Sequence, residues 1–205
     1  MRVSVITPVR DGERYLAAAI ESVLAGSVVP DELIVVDDGS TDGSAAVAAG
    51  FGAPVRVLRG PPAGIAAAAN RGVAASSGEL VGFVDADDLW TSTALECRVE
   101  VLAASAALDG VFGRVECFHS PELSDQERRR VPIPPGPRPF RAKGTVLLRR
   151  SPLERVGPFD GSFAVGDFID WYARADEAGC RFGEVDEVVL RRRYHRVNHT
   201  REAGS

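Results

Sequence analysis

The chain has 205 residues, 45% of them hydrophobic and 26% charged, with a net charge of -5. That length fits one core, since domains run to roughly 100 to 200 residues, and the balance excludes wholesale disorder. A net acidic chain also argues against a nucleic-acid partner, which calls for a basic excess on one face. No apolar run approaches the roughly 20 residues of a membrane span, and Met1 leads straight into a strand pattern, so the sequence predicts a cytoplasmic protein with no transmembrane segment. Cys97, Cys117 and Cys180 are odd in number, far apart and without a CxxC pair, which predicts buried reduced thiols.

Arg2 to Thr7 reads as a strand, and Glu13 to Ala25 as a helix with Leu16, Ile20, Val23 and Leu24 at helical spacing. Glu32 to Val36 is a second strand, followed by an alanine-rich helix that Thr41-Asp42 caps. Val55 to Leu58 is a third strand, Ala63 to Ala75 a helix, and Leu80 to Val84 a fourth strand stopping at Asp85. This alternation predicts a mostly parallel, Rossmann-like sheet covered by helices on both faces. Beyond it, Thr93 to Ala106 reads as a helix and Val111 to Phe118 as a strand, while Ser120 to Pro139 is rich in proline and charge and reads as a mobile surface loop. Gly144 to Leu148 reads as a strand, Asp167 to Ala178 as a helix, and Glu184 to Leu190 as a last strand before a basic tail, Arg191 to Arg201.

Ligands of such sheets bind beyond the carboxyl ends of the strands, where Asp37, Asp38 and Asp85 fall. Asp85-Ala86-Asp87-Asp88 at a strand end presents hard oxygens suited to Mn²⁺ or Mg²⁺. Aspartates also cap helices and make turns, so this pattern alone is weak. An aspartate at the tip of the second strand, in Asp37-Asp38-Gly39-Ser40, can accept a hydrogen bond from a base N–H.

Taken in order, Val3-Ser4-Val5-Ile6-Thr7-Pro8-Val9-Arg10-Asp11, Asp37-Asp38-Gly39-Ser40, Gly78-Glu79-Leu80-Val81-Gly82-Phe83 and Asp85-Ala86-Asp87-Asp88 resemble the motifs of family 2 glycosyltransferases. The resemblance covers Val3 to Trp90, returns around Phe159-Asp160 and Asp167 to Gly179, and leaves Cys117 to Arg141 unmatched. It implies an α/β GT-A fold with a smaller antiparallel portion on the acceptor side, in a single domain over residues 1–205. Residues 1–90 would be the nucleotide-binding half and 91–205 the acceptor half, with the loop at about 118–141. It further implies inverting transfer of a sugar from a UDP-, GDP- or dTDP-sugar to an acceptor hydroxyl that no motif identifies, and leaves room for a homo-oligomer. By residue, Thr7, Pro8 and Val9 would line the nucleotide pocket with Asn70, Asp38 would contact the base, Asp85 approach the ribose, and Asp87 hold the metal. His195, in Arg191 to Asn198, would complete the metal shell or approach the diphosphate.

Two positions depart from the pattern. Aligning Trp171 and Arg174 puts Asp167 where the family has Glu and Phe168 where it has the Asp base. Asp167 and Asp170 share a helix face and are both candidate bases, against a reading as a cap and as an Arg174 partner. Ala69 stands where an Arg commonly precedes the Asn, and Arg71, two residues on, faces another way on a helix. These departures keep open a nucleotide-sugar-binding module without turnover. Nucleotidyl transfer is the further alternative, although no basic glycine-rich phosphate loop stands near the start of the chain. A dinucleotide-dependent dehydrogenase lacks its GxGxxG after the first strand.

Overall fold

A computed structural model describes residues 1–196, and its strands join into one nine-stranded sheet. Strands β1 (Val3–Val9), β2 (Glu32–Asp37), β3 (Val55–Arg59) and β4 (Leu80–Phe83) pair in parallel in the order β3-β2-β1-β4. The crossovers are helices α1 (Glu13–Leu24), α2 (Ser44–Ala49) and α3 (Ile65–Ala75). Every residue of β1, β2 and β4 is buried, because helices cover both faces. Val3, Val5, Leu33 and Val35 meet Leu16, Ile20 and Val23 of α1 on one face, while Ile6, Ile34 and Val36 meet Ala66, Ala68 and Ala69 of α3 on the other.

Past β4 the sheet continues as β8 (Val146–Arg149), β6 (Gly110–His119), β9 (Phe182–Tyr194) and β5 (Leu89–Trp90), with β7 (Arg138–Pro139) paired to β6. Strand β8 runs antiparallel to both β4 and β6, which supplies the antiparallel portion expected of the second half. Helix α4 (Ala94–Ala104) covers the α1 face through Ala94, Leu95 and Leu102. Helices α6 (Arg150–Val156) and α7 (Asp167–Glu177) cover the α3 face. There Phe112, Phe159, Phe168, Trp171 and Tyr172 form an aromatic cluster, with Phe168 stacked on Trp171 at 6.0 Å.

Three sequence expectations change. The stretch expected to be loop from Ser120 to Pro139 carries helix α5 (Asp125–Arg130) and strand β7. A capping box between Ser124 and Glu127 starts that helix, and Glu127 is held from outside by Arg196 at 2.7 Å. The basic tail does not begin at Arg191, because β9 runs through Tyr194 against β6. Asp42 does not cap α2 as its N-cap; Gly43 holds that place, and the Asp42 carboxylate accepts from the Ser44 N–H at 3.0 Å. Val197, Asn198 and His199 lie outside the described residues. All three cysteines are free, Cys117 and Cys180 buried and Cys97 half-buried.

Candidate functional site

The four parallel strands end side by side, so the turns after β2 and β4 face one crevice. After β2, the Asp38 N–H donates to the Val9 carbonyl at 2.8 Å, locking that turn to the end of β1. The Asp38 carboxylate accepts from the backbone N–H groups of Ala63 (3.0 Å) and Gly64 (2.8 Å), which open α3, and from Arg71. Gly39 adopts φ +77°, and a Cβ there would stand 2.6 Å from the Pro62 ring, so the turn needs glycine. Asp38 thereby binds the β2 turn, the loop before α3 and Arg71 into one wall.

Arg71 resolves one of the departures. Ala69 is fully buried in the core between α3 and the sheet. Arg71 does face another way, as the spacing predicts, yet its length carries the guanidinium to Asp38, and its Nη1 passes where a Gly60 Cβ would be. An open groove of about 420 Å³ lined by Val36, Leu58, Arg59 and Arg71 adjoins that ion pair. Asn70 does not face this wall; its side-chain amide donates to the Phe159 carbonyl at 2.8 Å and accepts from the Phe159 N–H at 3.0 Å. Thr7 is fully buried on β1, and its hydroxyl lacks a hydrogen-bond partner among the described residues.

The Asp85 to Asp88 turn is tied to the end of β9. Arg193 donates its backbone N–H to Asp88 at 2.8 Å and its Nε to the Asp87 carbonyl at 2.9 Å. His195 Nε2 meets Asp87 Oδ2 at 2.8 Å, and its ring packs 4.7 Å from Tyr15 of α1. Burial and then the neighbouring Asp87 charge push the Asp85 carboxyl up from the usual carboxylate range, while Lys143 and Arg192 pull it back and Asp167 adds to the rise. Burial, Asp87 and Asp85 together push Asp88 well above that range. Carboxylates so crowded favour a cation.

Asp167 opens α7 after Gly166, which holds a left-handed φ of 93°. Its carboxylate is buried and pairs with Lys143, whose ammonium also sits 5.0 Å from the Phe159 ring. Asp170, one turn on, accepts from Arg174 Nε at 2.9 Å, and Arg174 also donates to the Val156 and Pro158 carbonyls. Phe168, at the position of the usual base, belongs to the aromatic core and is 4% exposed. The charges of Asp87, Lys143, Arg192 and Asp167 all act on Asp85, while Asp170 belongs to the α6–α7 packing.

Lys143 and Tyr15 had no signal in the sequence, because their partners lie far along the chain, whereas Arg192 and Arg193 fell in the basic segment singled out there and sit on β9. Among the described residues, no group of three or more His, Cys, Asp or Glu side chains forms a ready-made metal cage. The donors present are hard carboxylate oxygens, which fit Mg²⁺ or Mn²⁺, ions that commonly take one or two carboxylates and complete their shell with substrate phosphates. No helix among these residues is long and apolar enough to cross a membrane.

Comparison with known proteins agrees with this fold. The chain is 34% identical over 175 residues to an uncharacterized glycosyltransferase of Nostoc sp., a match covering 78% of this chain and 54% of the relative. It is 33% identical over 136 residues to the uncharacterized glycosyltransferase EpsJ of Bacillus subtilis, covering 65% of this chain and 37% of the relative. The crystal structure of S. aureus TarS 1-349 in complex with UDP superposes with a TM-score of 0.75 at 18% identity, over 95% of this chain and 61% of that one. The complex with UDP-GlcNAc gives 0.74 over 100% and 62%. This chain therefore spans between a third and two thirds of the length of these relatives. The sequence model named Glycosyl transferase family 2 matches residues 4–157, and the chain belongs to that family.

Proposed function

We propose that this chain is the GT-A catalytic portion of an inverting, metal-dependent glycosyltransferase that moves a sugar from a nucleotide diphosphate to an acceptor hydroxyl. The observation that carries the reading is geometric: Asp87, in the turn after β4, meets His195 Nε2 at 2.8 Å, and the buried Asp167 at the start of α7 pairs with Lys143, whose segment packs beside β4.

In this reading Asp38 meets the nucleoside, and Thr7, fully buried on β1, supports the pocket from beneath without touching it. Asp85 stands toward the ribose, Asp87 with His195 beside it holds the cation, and Asn70 braces α3 against Phe159 without touching nucleotide. The cation, when bound, offsets the charge gathering on the departing diphosphate. Asp167 accepts the acceptor hydroxyl proton as that oxygen attacks the anomeric carbon and the bond to the nucleoside diphosphate breaks. Lys143 orients the Asp167 carboxylate, and Asp170 stays with Arg174. The elements that carry these residues pack on or border one nine-stranded sheet, in keeping with a single domain. TarS structures hold UDP and UDP-GlcNAc, which makes UDP the first nucleotide to try against GDP and dTDP.

A ligand at 100 times its dissociation constant stabilises by about 2.7 kcal/mol, and at about 2 to 4 °C per kcal/mol UDP with Mn²⁺ should raise Tm by roughly 5 to 10 °C. Asp87→Ala should remove the metal-dependent part without lowering the ligand-free Tm by more than about 2 °C. A full metal-dependent shift in Asp87→Ala would refute its role. Turnover lost in Asp167→Asn with UDP binding intact supports the base; turnover kept there sinks it. UDP binding without sugar transfer or donor hydrolysis in the unaltered chain favours the binding module suggested by Phe168.

A further inference from the structure

The acceptor half carries its own concentration of cations. From Arg128 to Lys143 the sequence holds five arginines and one lysine and no acidic residue, in a chain whose net charge is -5. The register of the sheet sorts them. Arg138 of β7 lies opposite Val115 of β6, and Arg192 of β9 opposite Cys117, so with side chains alternating along a strand both point to one face. The Arg138 guanidinium reaches the Cys117 sulfur at 3.9 Å on that same face.

Between the two arginines stands Phe140, with Arg138 at 5.6 Å and Arg192 at 5.4 Å from its ring, and Arg192 also lies 5.9 Å from the Tyr194 ring. No carboxylate among the described residues pairs with Arg138, and its Nε–H is buried with no hydrogen-bond partner. A guanidinium fork held by a ring and a thiol alone leaves donors that a planar or tetrahedral oxyanion satisfies two at a time. Five residues on from Arg138 the same segment reaches Lys143, which pairs with Asp167, and the charge of Arg192 acts on Asp85. The two arginines therefore border the crevice on its acceptor side, away from the Asp38 wall.

We infer that the Arg138–Phe140–Arg192 surface is an acceptor subsite that binds an oxyanion, a phosphate or a carboxylate, carried by the molecule whose hydroxyl receives the sugar. This rests on the transferase reading for the word acceptor; the anion site itself does not. Arg138 supplies the fork, Arg192 a second positive charge, and Phe140 and Tyr194 apolar walls for the adjoining carbon chain.

The test uses glycerol 3-phosphate, glycerate and neutral glycerol as probes, titrated calorimetrically into the full chain with and without saturating UDP and Mn²⁺. The two anions should bind and glycerol should not, and UDP should leave their binding in place. Tighter binding of glycerol 3-phosphate assigns a phosphate, and tighter binding of glycerate a carboxylate. Arg138→Gln should weaken the preferred anion on the order of tenfold and Arg138→Lys by less, since the point charge survives and the fork does not, with Tm and the UDP shift unaltered. Unchanged anion binding in Arg138→Gln would overturn the subsite, as would displacement of the anions by UDP, which would assign the arginines to the donor diphosphate. Binding to anionic phosphatidylglycerol vesicles with none to either small anion would overturn it too and make the face a membrane contact. If no nucleotide shifts the protein yet the Arg138-dependent anion binding persists, the donor reading fails and the anion site stands.

Discussion

Replacing Lys143 by Met removes an ammonium from a site where it has no substitute. Lys143 is 8% exposed and its partner Asp167 5%, so neither charge is well hydrated. Removing one partner of a buried pair costs about 3 to 5 kcal/mol, because the remaining charge keeps its desolvation penalty and loses its attraction. Methionine keeps most of the side-chain volume, so cavity formation adds little, while the loss of the cation over Phe159 adds about 0.5 to 1 kcal/mol. At about 2 to 4 °C per kcal/mol, a 3 kcal/mol loss lowers Tm by roughly 6 to 12 °C. Lys143→Met/Asp167→Leu, with both charges gone and apolar groups in their place, should recover most of it, giving a coupling energy of at least about 2 kcal/mol. The assay is thermal unfolding of the four-member cycle at pH 7 and again near pH 4. Losing Lys143 also removes a charge that pulls Asp85 down, so Asp85 of the single mutant holds its proton more readily and the deficit should shrink on acidification. A single-mutant loss below about 1 kcal/mol, or a double mutant as unstable as the sum of the singles, would refute the pair as an energetic unit.

Arg98 gives the opposite sign. It is fully buried over Trp90 at 4.5 Å, both terminal nitrogens have no partner among the described residues, and burial brings its pKa down to about 10. Arg98→Met keeps the packing and removes the unsatisfied charge, so Tm should hold or rise; a fall beyond about 4 °C would show that the cation over Trp90 outweighs its desolvation. Gly72→Ala pushes a methyl within 2.4 Å of Ile6 where α3 crosses β1, and should cost about 1 to 3 kcal/mol, read as a lowered urea midpoint at constant slope. Burial opposes ionisation of Glu32, but the Ser77 N–H, the Ser4 and Ser77 hydroxyls and Arg56 outweigh it and hold the carboxyl below its usual 4.5. A carboxyl depressed in the folded state contributes stability that is whole above pH 4.5 and fades as pH falls through the folded value. Glu32→Gln should therefore lose stability at neutral pH and unfold with a flatter acid limb, and an unchanged slope of Tm against pH below 4.5 would contradict that.

The parallel half was legible because its signal is local. Strands buried on both faces read as unbroken apolar runs, so Glu32–Asp37 and Leu80–Phe83 stood out, and their acidic ends followed within a residue or two. The other half hid its elements for identifiable reasons. Strand β5 has two residues and exists because Trp90 pairs with Leu190, a contact no window of local sequence contains. Helix α5 had its capping box in plain view at Ser124 and Glu127, but its buried residues number none, so no apolar period marked it. The arginines of β9 look like a solvated tail in sequence, yet Arg193 is stacked between the Tyr15 and Phe118 rings, and its partners on Asp87 and Asp88 lie more than a hundred residues away.

The same contrast explains why the strand-tip acids stand out in the sequence and most of the cations beside them do not. An aspartate at a strand tip is placed by the strand itself: once Leu80–Phe83 is a parallel strand, Asp85 and Asp87 must face the crevice beyond its carboxyl end. A cation reaches the same crevice through a long flexible stem, from whatever element happens to pass, so Lys143 arrives from a short turn before β8, Arg192 from β9 and Arg71 from the far side of α3. Arg71 makes the point most directly, since helical spacing placed its Cα on the wrong face and the guanidinium still reached Asp38. The geometry of the base candidates divides in the same way. Asp167 and Asp170 share a helix face, and what separates them is that Lys143 pairs with one in a buried contact while Arg174 holds the other beside Val156 and Pro158.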